Sequence, residues 1–187
     1  MHILLVALQV LFFVPLIARA AVMRGGGGIG PEFVAGFLKP RLVIHGAGNV
    51  LLWVGVAEAV VNGRVPAAPT FRGVLGAALI IAGTLLVTWA VVAFRSWRLL
   101  PTIDAEHELC TAGPFRFVRH PIYLALDLLG IGSAIWVGTP LVIASVAFFV
   151  LGGDLRARSE ERALLQAFGD RYRSYMRQVR RTIPFLY

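Results

Sequence analysis

Cysteine and charge are both scarce in this sequence of 187 residues. Cys110 is the only cysteine, which excludes an intramolecular disulfide and any metal site built from several cysteines. Charged residues make up 15% of the chain and hydrophobic residues 58%, whereas about a quarter of the residues of a soluble domain are charged. Since the apolar residues form long runs, this composition indicates an integral membrane protein.

Acidic residues are the scarcer charged class, with 10 Asp and Glu against 18 Lys and Arg. A net charge of +8 can indicate binding to nucleic acid or to an anionic membrane surface. Here the arginines flank the apolar runs and crowd the C-terminal tail, so membrane topology explains them and no nucleic-acid partner is expected. The tail is predicted to be cytoplasmic because eight arginines follow Gly153, namely Arg156, Arg158, Arg162, Arg171, Arg173, Arg177, Arg180 and Arg181.

Five apolar runs organise the chain, at residues 3–23, 42–61, 73–94, 121–137 and 141–152. About 20 apolar residues span the hydrocarbon core, so the first three runs are predicted membrane helices. The fifth run is too short to span alone, and a tight turn at 138–140 joins it to the fourth. We therefore expect a helical hairpin whose second helix leaves the bilayer as an amphipathic segment over 154–175.

The first run has a second interpretation as a signal peptide, because Ala18-Arg19-Ala20 resembles a small-residue cleavage site. No Lys or Arg precedes the run, and it is longer than the apolar region of a signal peptide, which favours a retained helix. With the hairpin in place, residues 24–41 and 95–120 face the cytoplasm together with the tail, and the N-terminus faces outside. The sequence thus predicts a single all-α domain, a polytopic membrane bundle of about five helices.

Polar side chains lie within the second run, where His45, Asn49 and Trp53 share one helix face and Glu58 lies near the far end. A polar stripe in a spanning helix faces protein or a water-filled cavity, since a charge at mid-membrane costs at least about 2.5 kcal/mol. The stripe is either the wall of a cavity or a set of hydrogen bonds between helices.

Three other residues stand out in the apolar runs. Gly76 and Gly83 lie seven positions apart, which permits close packing against a neighbouring helix. Asp127 lies in the fourth run and is either a pocket residue or a buried acid whose hydrogen bonds are satisfied.

The stretch from Gly113 to Tyr123 packs two Arg, one His, two Pro and three aromatic residues into eleven positions. Pro121 disfavours helical geometry at His120 and fits the first turn of the following helix. The sequence therefore predicts that His120 is held at a helix entrance, with Tyr123 one turn further in. The alternative is an ordinary start of a membrane helix with basic flanking residues.

The amphipathic tail carries a second polar cluster. Arg156 and Glu160 are four residues apart and can share a helix face. A separate helical stripe begins with an acid and continues with apolar or aromatic residues: Glu161, Leu164, Phe168, Tyr172 and Tyr175. Ordinary ion pairs on a solvated helix are the commoner fate of such charges. The predicted hairpin, however, places them beside His120 and Tyr123, at the depth of lipid head groups.

Four motifs together resemble the isoprenylcysteine carboxyl methyltransferase family, which shares its C-terminal pattern with the phospholipid methyltransferases. They are the segments 107–115 (His-Glu-Leu-Cys-Thr-Ala-Gly-Pro-Phe), 119–123 (Arg-His-Pro-Ile-Tyr), 160–175 (Glu-Glu-Arg-Ala-Leu through Phe-Gly-Asp-Arg-Tyr-Arg-Ser-Tyr) and 183–184 (Ile-Pro). The match covers roughly residues 95–187. The three predicted N-terminal membrane helices, in residues 1–94, carry no signature of the family, and the resemblance implies that residues 95–187 are the cofactor-binding, catalytic part.

The resemblance implies S-adenosyl-L-methionine as the methyl donor, bound in a cytoplasmic pocket. Carried over by motif, the cofactor-binding residues would be His107, Leu109, Cys110, Phe115, His120, Pro121, Tyr123, Glu160 and Glu161. The catalytic residues would be Arg156, Glu161 and His120. Phe115 stands where the family often has Tyr, and Cys110 where it often has an aliphatic residue. A metal site from His107, Cys110 and His120 is not favoured, and none is expected.

The methyl acceptor is the least determined part of this prediction. The resemblance favours the carboxylate of a prenylcysteine-like substrate, which is already nucleophilic and would be positioned by Arg156. A phenol, an enol or a phospholipid amine is the alternative, and a hydroxyl acceptor would need His120 or Glu161 as a general base. A non-enzymatic membrane scaffold would explain the bundle but not the clustering of the motifs.

Overall fold

The computed structural model describes residues 1–23, 40–94 and 109–183. Five α-helices and one short 3₁₀-helix make up the described part of the chain. Their bounds are α1 His2–Met23, α2 Pro40–Val61, α3 Phe71–Ala93, the 3₁₀-helix Gly113–Arg116, α4 Pro121–Val137 and α5 Pro140–Gln178. The predicted all-α membrane bundle is confirmed.

Four of these helices are long and apolar enough to cross a membrane, namely α1, α2, α3 and α5. The α4 helix is apolar but shorter, with 17 residues. Apolar side chains remain exposed on the outside of the bundle, including Ile3, Val50, Leu85 and Val92. Such a surface suits lipid rather than water, so the protein is an integral membrane protein.

Helices α3 and α4 pack antiparallel through glycine. A Cβ at Gly76 would lie 2.5 Å from the carbonyl oxygen of Gly132, and one at Gly83 would lie 2.9 Å from that of Ala125. No side chain fits there, so the two backbones approach closely. The close packing predicted for Gly76 and Gly83 is confirmed.

Helices α2 and α5 pair in the same way. A Cβ at Gly152 would lie 2.8 Å from both the Cα and the backbone nitrogen of His45. At Gly48 it would lie 3.3 Å from the backbone nitrogen of Phe149, and at Gly55 2.8 Å from a methyl group of Val142. These contacts fix the register of the two helices and place the start of α2 beside the point where α5 turns polar.

The α4–α5 hairpin forms as predicted, through a tight turn at Gly138. This residue ends α4 with a φ of 70°, a left-handed conformation that glycine adopts without strain. The α5 helix then runs continuously from the apolar run into the amphipathic tail, as the sequence predicts, and bends only at Gly169, where φ is 51°.

The chain beyond α5 makes a contact that the sequence did not predict. It turns back so that residues 179–181 lie beside residues 118–120, with an isolated parallel bridge between Val118 and Arg180. The backbone N–H groups of Arg119 and His120 donate to the carbonyl oxygens of Arg180 and Arg181 at 2.7 and 2.9 Å. The C-terminal segment thereby fixes the entrance of α4.

Candidate active site at the polar end of the bundle

His120 lies at the entrance of α4, as the sequence predicts. Its φ of −126° and ψ of 62° are not helical, and Pro121 occupies the first helical position. Its backbone N–H is held by Arg181, and its side chain is 6% exposed. The imidazole is therefore buried in a fixed orientation.

Two carboxylates flank the imidazole of His120. Nδ1 lies 3.6 Å from Oε2 of Glu160, and Nε2 lies 3.4 Å from Oε1 of Glu161. Burial disfavours the protonated ring, but the hydrogen bonding and negative charge of the two acids outweigh that effect and raise the pKa of His120. A protonated His120 is thus stabilised between them.

Glu161 is the hub of a buried ion-pair network. Arg119 donates to its Oε1 from Nε at 3.0 Å and from Nη2 at 2.8 Å, and Arg181 Nη2 donates to Oε2 at 2.8 Å. Arg181 also reaches Oδ1 of Asp154 at 3.1 Å. The Glu161 side chain is 5% exposed and that of Arg119 8%, so these charges compensate each other away from water.

Glu160 has different neighbours, although it is adjacent in sequence. The hydroxyl of Tyr123 donates to its Oε1. The Tyr123 ring stacks on His120 with centroids 5.6 Å apart, and the guanidinium of Arg156 lies 5.2 Å from the ring centroid. Tyr123 therefore joins the start of α4 to the polar part of α5.

The segment before His120 is anchored between α3 and the end of α5. The hydroxyl of Tyr175 donates to the carbonyl oxygen of Phe115 at 2.6 Å, and the Phe115 ring meets Phe94 edge-on at 5.5 Å. Leu109 packs against a cluster of Tyr172, Tyr175 and Val179. The thiol of Cys110 donates to Ala93 at 3.5 Å, and burial raises its pKa.

The structure therefore brings together six of the predicted site residues: His120, Pro121, Tyr123, Arg156, Glu160 and Glu161. Leu109, Cys110 and Phe115 are placed by α3 and by the aromatic cluster of α5. His107 lies outside the described residues. No group of three His, Cys, Asp or Glu able to hold a metal occurs within 1–23, 40–94 and 109–183.

Three residues of this region, Arg119, Arg181 and Asp154, had no role in the sequence interpretation of the site, and His45 was predicted only as one alternative, the wall of a cavity. Arg119 and Arg181 bind Glu161, Asp154 binds Arg181, and His45 contacts Tyr123 with ring centroids 5.8 Å apart. Arg119 stands inside the Arg-His-Pro motif, which is a signal that could have singled it out. The other three depend on contacts between distant segments.

The residues of the polar stripe predicted in α2 have different surroundings in the structure. His45 is 4% exposed and faces the site, whereas the Asn49 amide donates to the carbonyl oxygen of His45 at 3.3 Å within the same helix. Glu58 at the far end pairs with Arg64 at 2.9 Å. Only His45 fits the cavity-wall interpretation. One carboxylate oxygen of Asp127 is buried without a hydrogen-bond partner among the described residues, so the satisfied alternative does not describe it.

The helix bundle is similar to a membrane fold that has been solved for another protein. The structure is similar to that of the eukaryotic intramembrane Ras methyltransferase ICMT (isoprenylcysteine carboxyl methyltransferase), with a TM-score of 0.58 and 22% identity. The match covers 86% of this chain and 55% of that one. At this identity the likeness defines the membrane helix bundle and no more.

The family follows from the sequence. The family model for phospholipid methyltransferases matches residues 71–171, just over half of the chain. The protein belongs to the phospholipid methyltransferase family. That match begins at α3 and includes α4 and most of α5, and so contains both sides of the candidate site.

Curated relatives show the same relationship. Protein-S-isoprenylcysteine O-methyltransferase B of Arabidopsis thaliana is 32% identical over 117 residues, 59% of this chain and 58% of that protein. Methanethiol S-methyltransferase of Mycobacterium tuberculosis is 33% identical over 96 residues, 49% of this chain and 36% of that protein. The chain thus spans less than two thirds of the length of these relatives. The resemblance to isoprenylcysteine carboxyl methyltransferases is confirmed.

Proposed function

We propose that the protein is an S-adenosyl-L-methionine-dependent methyltransferase that methylates the carboxylate of a lipophilic, prenylcysteine-like acceptor. The observation that carries the proposal is that His120 and Tyr123 of the 119–123 motif meet Glu160 of the 160–175 motif, with Arg156 beside them. The similarity to isoprenylcysteine O-methyltransferases supports this acceptor.

The residues of the cluster fit such a donor. A sulfonium or adenine suits an aromatic face, which Tyr123 supplies, and an ammonium suits the carboxylate of Glu160. The hydroxyl of Tyr172, in the aromatic cluster that Leu109 contacts, is buried without a hydrogen-bond partner among the described residues, so it could hydrogen-bond to a ligand that reaches this cluster. When bound, the donor supplies an electrophilic methyl group.

Arg156 is the residue that suits a carboxylate acceptor. Its guanidinium lies over Tyr123, next to the proposed donor site, and a guanidinium can bind a carboxylate through two parallel hydrogen bonds. Such an acceptor needs no general base, so alignment and exclusion of water would supply most of the rate enhancement. Catalysis by His120 would then be unnecessary, and its role is donor binding.

We assign Glu161 a positioning role. Both of its oxygens accept hydrogen bonds from arginines, so it holds Arg119 and the C-terminal segment in place. Leu109, Cys110, Phe115 and Pro121 remain proposed lining residues of the donor pocket, together with His107. The site faces the cytoplasm in this proposal, and residues 1–187 act as one domain.

The test uses the purified protein in detergent. We expect S-adenosylhomocysteine to raise its thermal unfolding temperature, and labelled S-adenosyl-L-methionine to methylate N-acetyl-S-farnesylcysteine. Arg156→Ala should lose acceptor turnover and retain donor binding, whereas Arg162→Ala, an exposed arginine on the same helix, should behave as wild type. Absence of binding at millimolar S-adenosylhomocysteine would contradict the enzyme proposal.

A thiol is the second candidate acceptor, because one relative is named a methanethiol S-methyltransferase. A panel of a prenylcysteine, a thiol, a phenol and a phospholipid amine separates the candidates. If only the thiol is methylated, the donor assignment stands and the carboxylate assignment is wrong.

A further inference from the structure

His45 is a buried imidazole to which the proposed donor site gives no role. It lies near the start of α2, is 4% exposed, and its Nδ1 has no hydrogen-bond partner among the residues that the structure describes. Leaving a buried polar atom unpaired costs about 1–3 kcal/mol. A ligand that bonds to Nδ1 would remove this cost.

The neighbours of His45 place it at one side of the candidate site. Its ring centroid lies 5.8 Å from that of Tyr123 and 5.6 Å from that of Phe149. Tyr123 is also the residue that Glu160 and Arg156 contact. Polar partners thus reach Tyr123 from the amphipathic part of α5, whereas His45 and Phe149 reach this region from membrane-spanning segments.

Packing holds His45 at this position. A side chain at Gly152 would collide with the His45 backbone, and one at Gly48 would press on Phe149. The α2 helix therefore meets α5 only because both residues are glycine. His45 is brought to Tyr123 by two closely packed backbones, and its position does not depend on a flexible loop.

We propose that His45 forms the acceptor side of the site, where its imidazole hydrogen-bonds one carboxylate oxygen of a lipophilic acid that enters from the bilayer. The inference rests on the proposed function. The carboxylate oxygen supplies the electron pair of the new carbon–oxygen bond, and the carbon–sulfur bond of the sulfonium donor breaks with its pair going to sulfur. No proton moves, so His45 acts by holding the acceptor in line.

The experiment separates acceptor binding from donor binding in full-length variants. His45→Phe keeps an aromatic ring against Tyr123 and Phe149 but has no nitrogen, whereas His45→Asn places an amide near the position of Nδ1. We expect His45→Phe to raise the KM for N-acetyl-S-farnesylcysteine about tenfold or more, with the affinity for S-adenosylhomocysteine within twofold of wild type. His45→Asn should restore most of the KM.

The control is Glu58→Gln, a polar change at the other end of α2 that should leave both constants unchanged. An unchanged KM in His45→Phe would overturn the inference about His45 and leave the proposed function standing. An equal loss of donor and acceptor affinity would also overturn it, since His45 would then act by supporting Tyr123. If the wild-type protein methylates no lipophilic carboxylate, the proposed function falls and the inference falls with it.

Discussion

Replacing Glu161 by Gln should destabilise the protein far more than the same change at the neighbouring Glu160. Glu161→Gln keeps the size of the side chain but removes the negative charge that Arg119 and Arg181 share. Arg119 is 8% exposed, so its charge cannot be compensated by water. Breaking a buried pair from one side costs about 3–5 kcal/mol, and the carbonyl oxygens of Met176 and Val179, which Arg119 also binds, favour the lower end.

Glu160→Gln removes no arginine partner that is equally buried. Its side chain is 24% exposed, and the amide oxygen of glutamine can still accept the hydrogen bond from Tyr123. We expect a cost of about 1 kcal/mol, typical of weakening one hydrogen bond. At about 2–4 °C per kcal/mol for a chain of this size, Glu161→Gln should lower the unfolding temperature by about 6–12 °C and Glu160→Gln by about 2–4 °C.

For ligand binding we expect the reverse, with a larger effect of Glu160→Gln than of Glu161→Gln. Thermal unfolding in detergent with and without S-adenosylhomocysteine measures both effects in one experiment. Glu160→Gln should lose most of the rise in unfolding temperature that the ligand causes, whereas Glu161→Gln should show the full rise, starting from its own lower unfolding temperature. Equal losses of stability would refute the assignment of Glu161 to positioning, and full ligand stabilisation of Glu160→Gln would refute the assignment of Glu160 to the donor.

Three further predictions test the frame of the site. Gly152→Ala should cost about 1–3 kcal/mol because its Cβ meets the α2 backbone, whereas Gly46→Ala, which has open space around its Cβ, should be neutral or stabilising by thermal unfolding. Tyr175→Phe should cost about 1–3 kcal/mol by leaving a buried carbonyl unpaired, whereas Tyr172→Phe, whose hydroxyl has no described partner, should cost less than about 0.5 kcal/mol; an equal loss would contradict the burial argument. Because the pKa of His120 is raised in the folded protein, its contribution to stability is complete below about pH 6.5, the pKa of an unperturbed histidine, and is lost as the pH rises through the higher pKa of the folded state. The unfolding temperature should therefore fall between these two pKa values in wild type and stay constant in His120→Gln.

The local parts of the fold could be predicted from the sequence. The apolar runs predicted the helices because a spanning helix needs uninterrupted apolar residues. Gly138 predicted the turn of the hairpin because glycine ends a helix without strain. Pro121 predicted the start of α4 because its ring disfavours a helical backbone conformation at His120. Each of these predictions depends on neighbours within a few residues.

The contacts between distant segments could not be predicted in the same way. Residues 179–181 pair with 118–120 across about sixty positions, and no periodicity in either segment indicates it. The different neighbours of Glu160 and Glu161 follow from this contact, because it brings Arg181 to Glu161 and not to Glu160. The meeting of His45 and Tyr123 depends likewise on how α2 packs against α5.

One face of α5 explains how a polar donor and a lipophilic acceptor could meet at a single site. Arg156 and Glu160 follow Phe149 by seven and eleven residues, about two and three helical turns, so the three residues lie nearly in line along about 16 Å of the helix. Phe149 lies in the apolar run and contacts His45, whereas Arg156 and Glu160 contact Tyr123 in the polar segment. A loop at the bilayer boundary would leave the spacing of these groups variable. A continuous helix fixes it, so that under the proposed function an acid whose apolar chain stays in the lipid can bring its carboxylate to a donor bound at the polar end of the bundle.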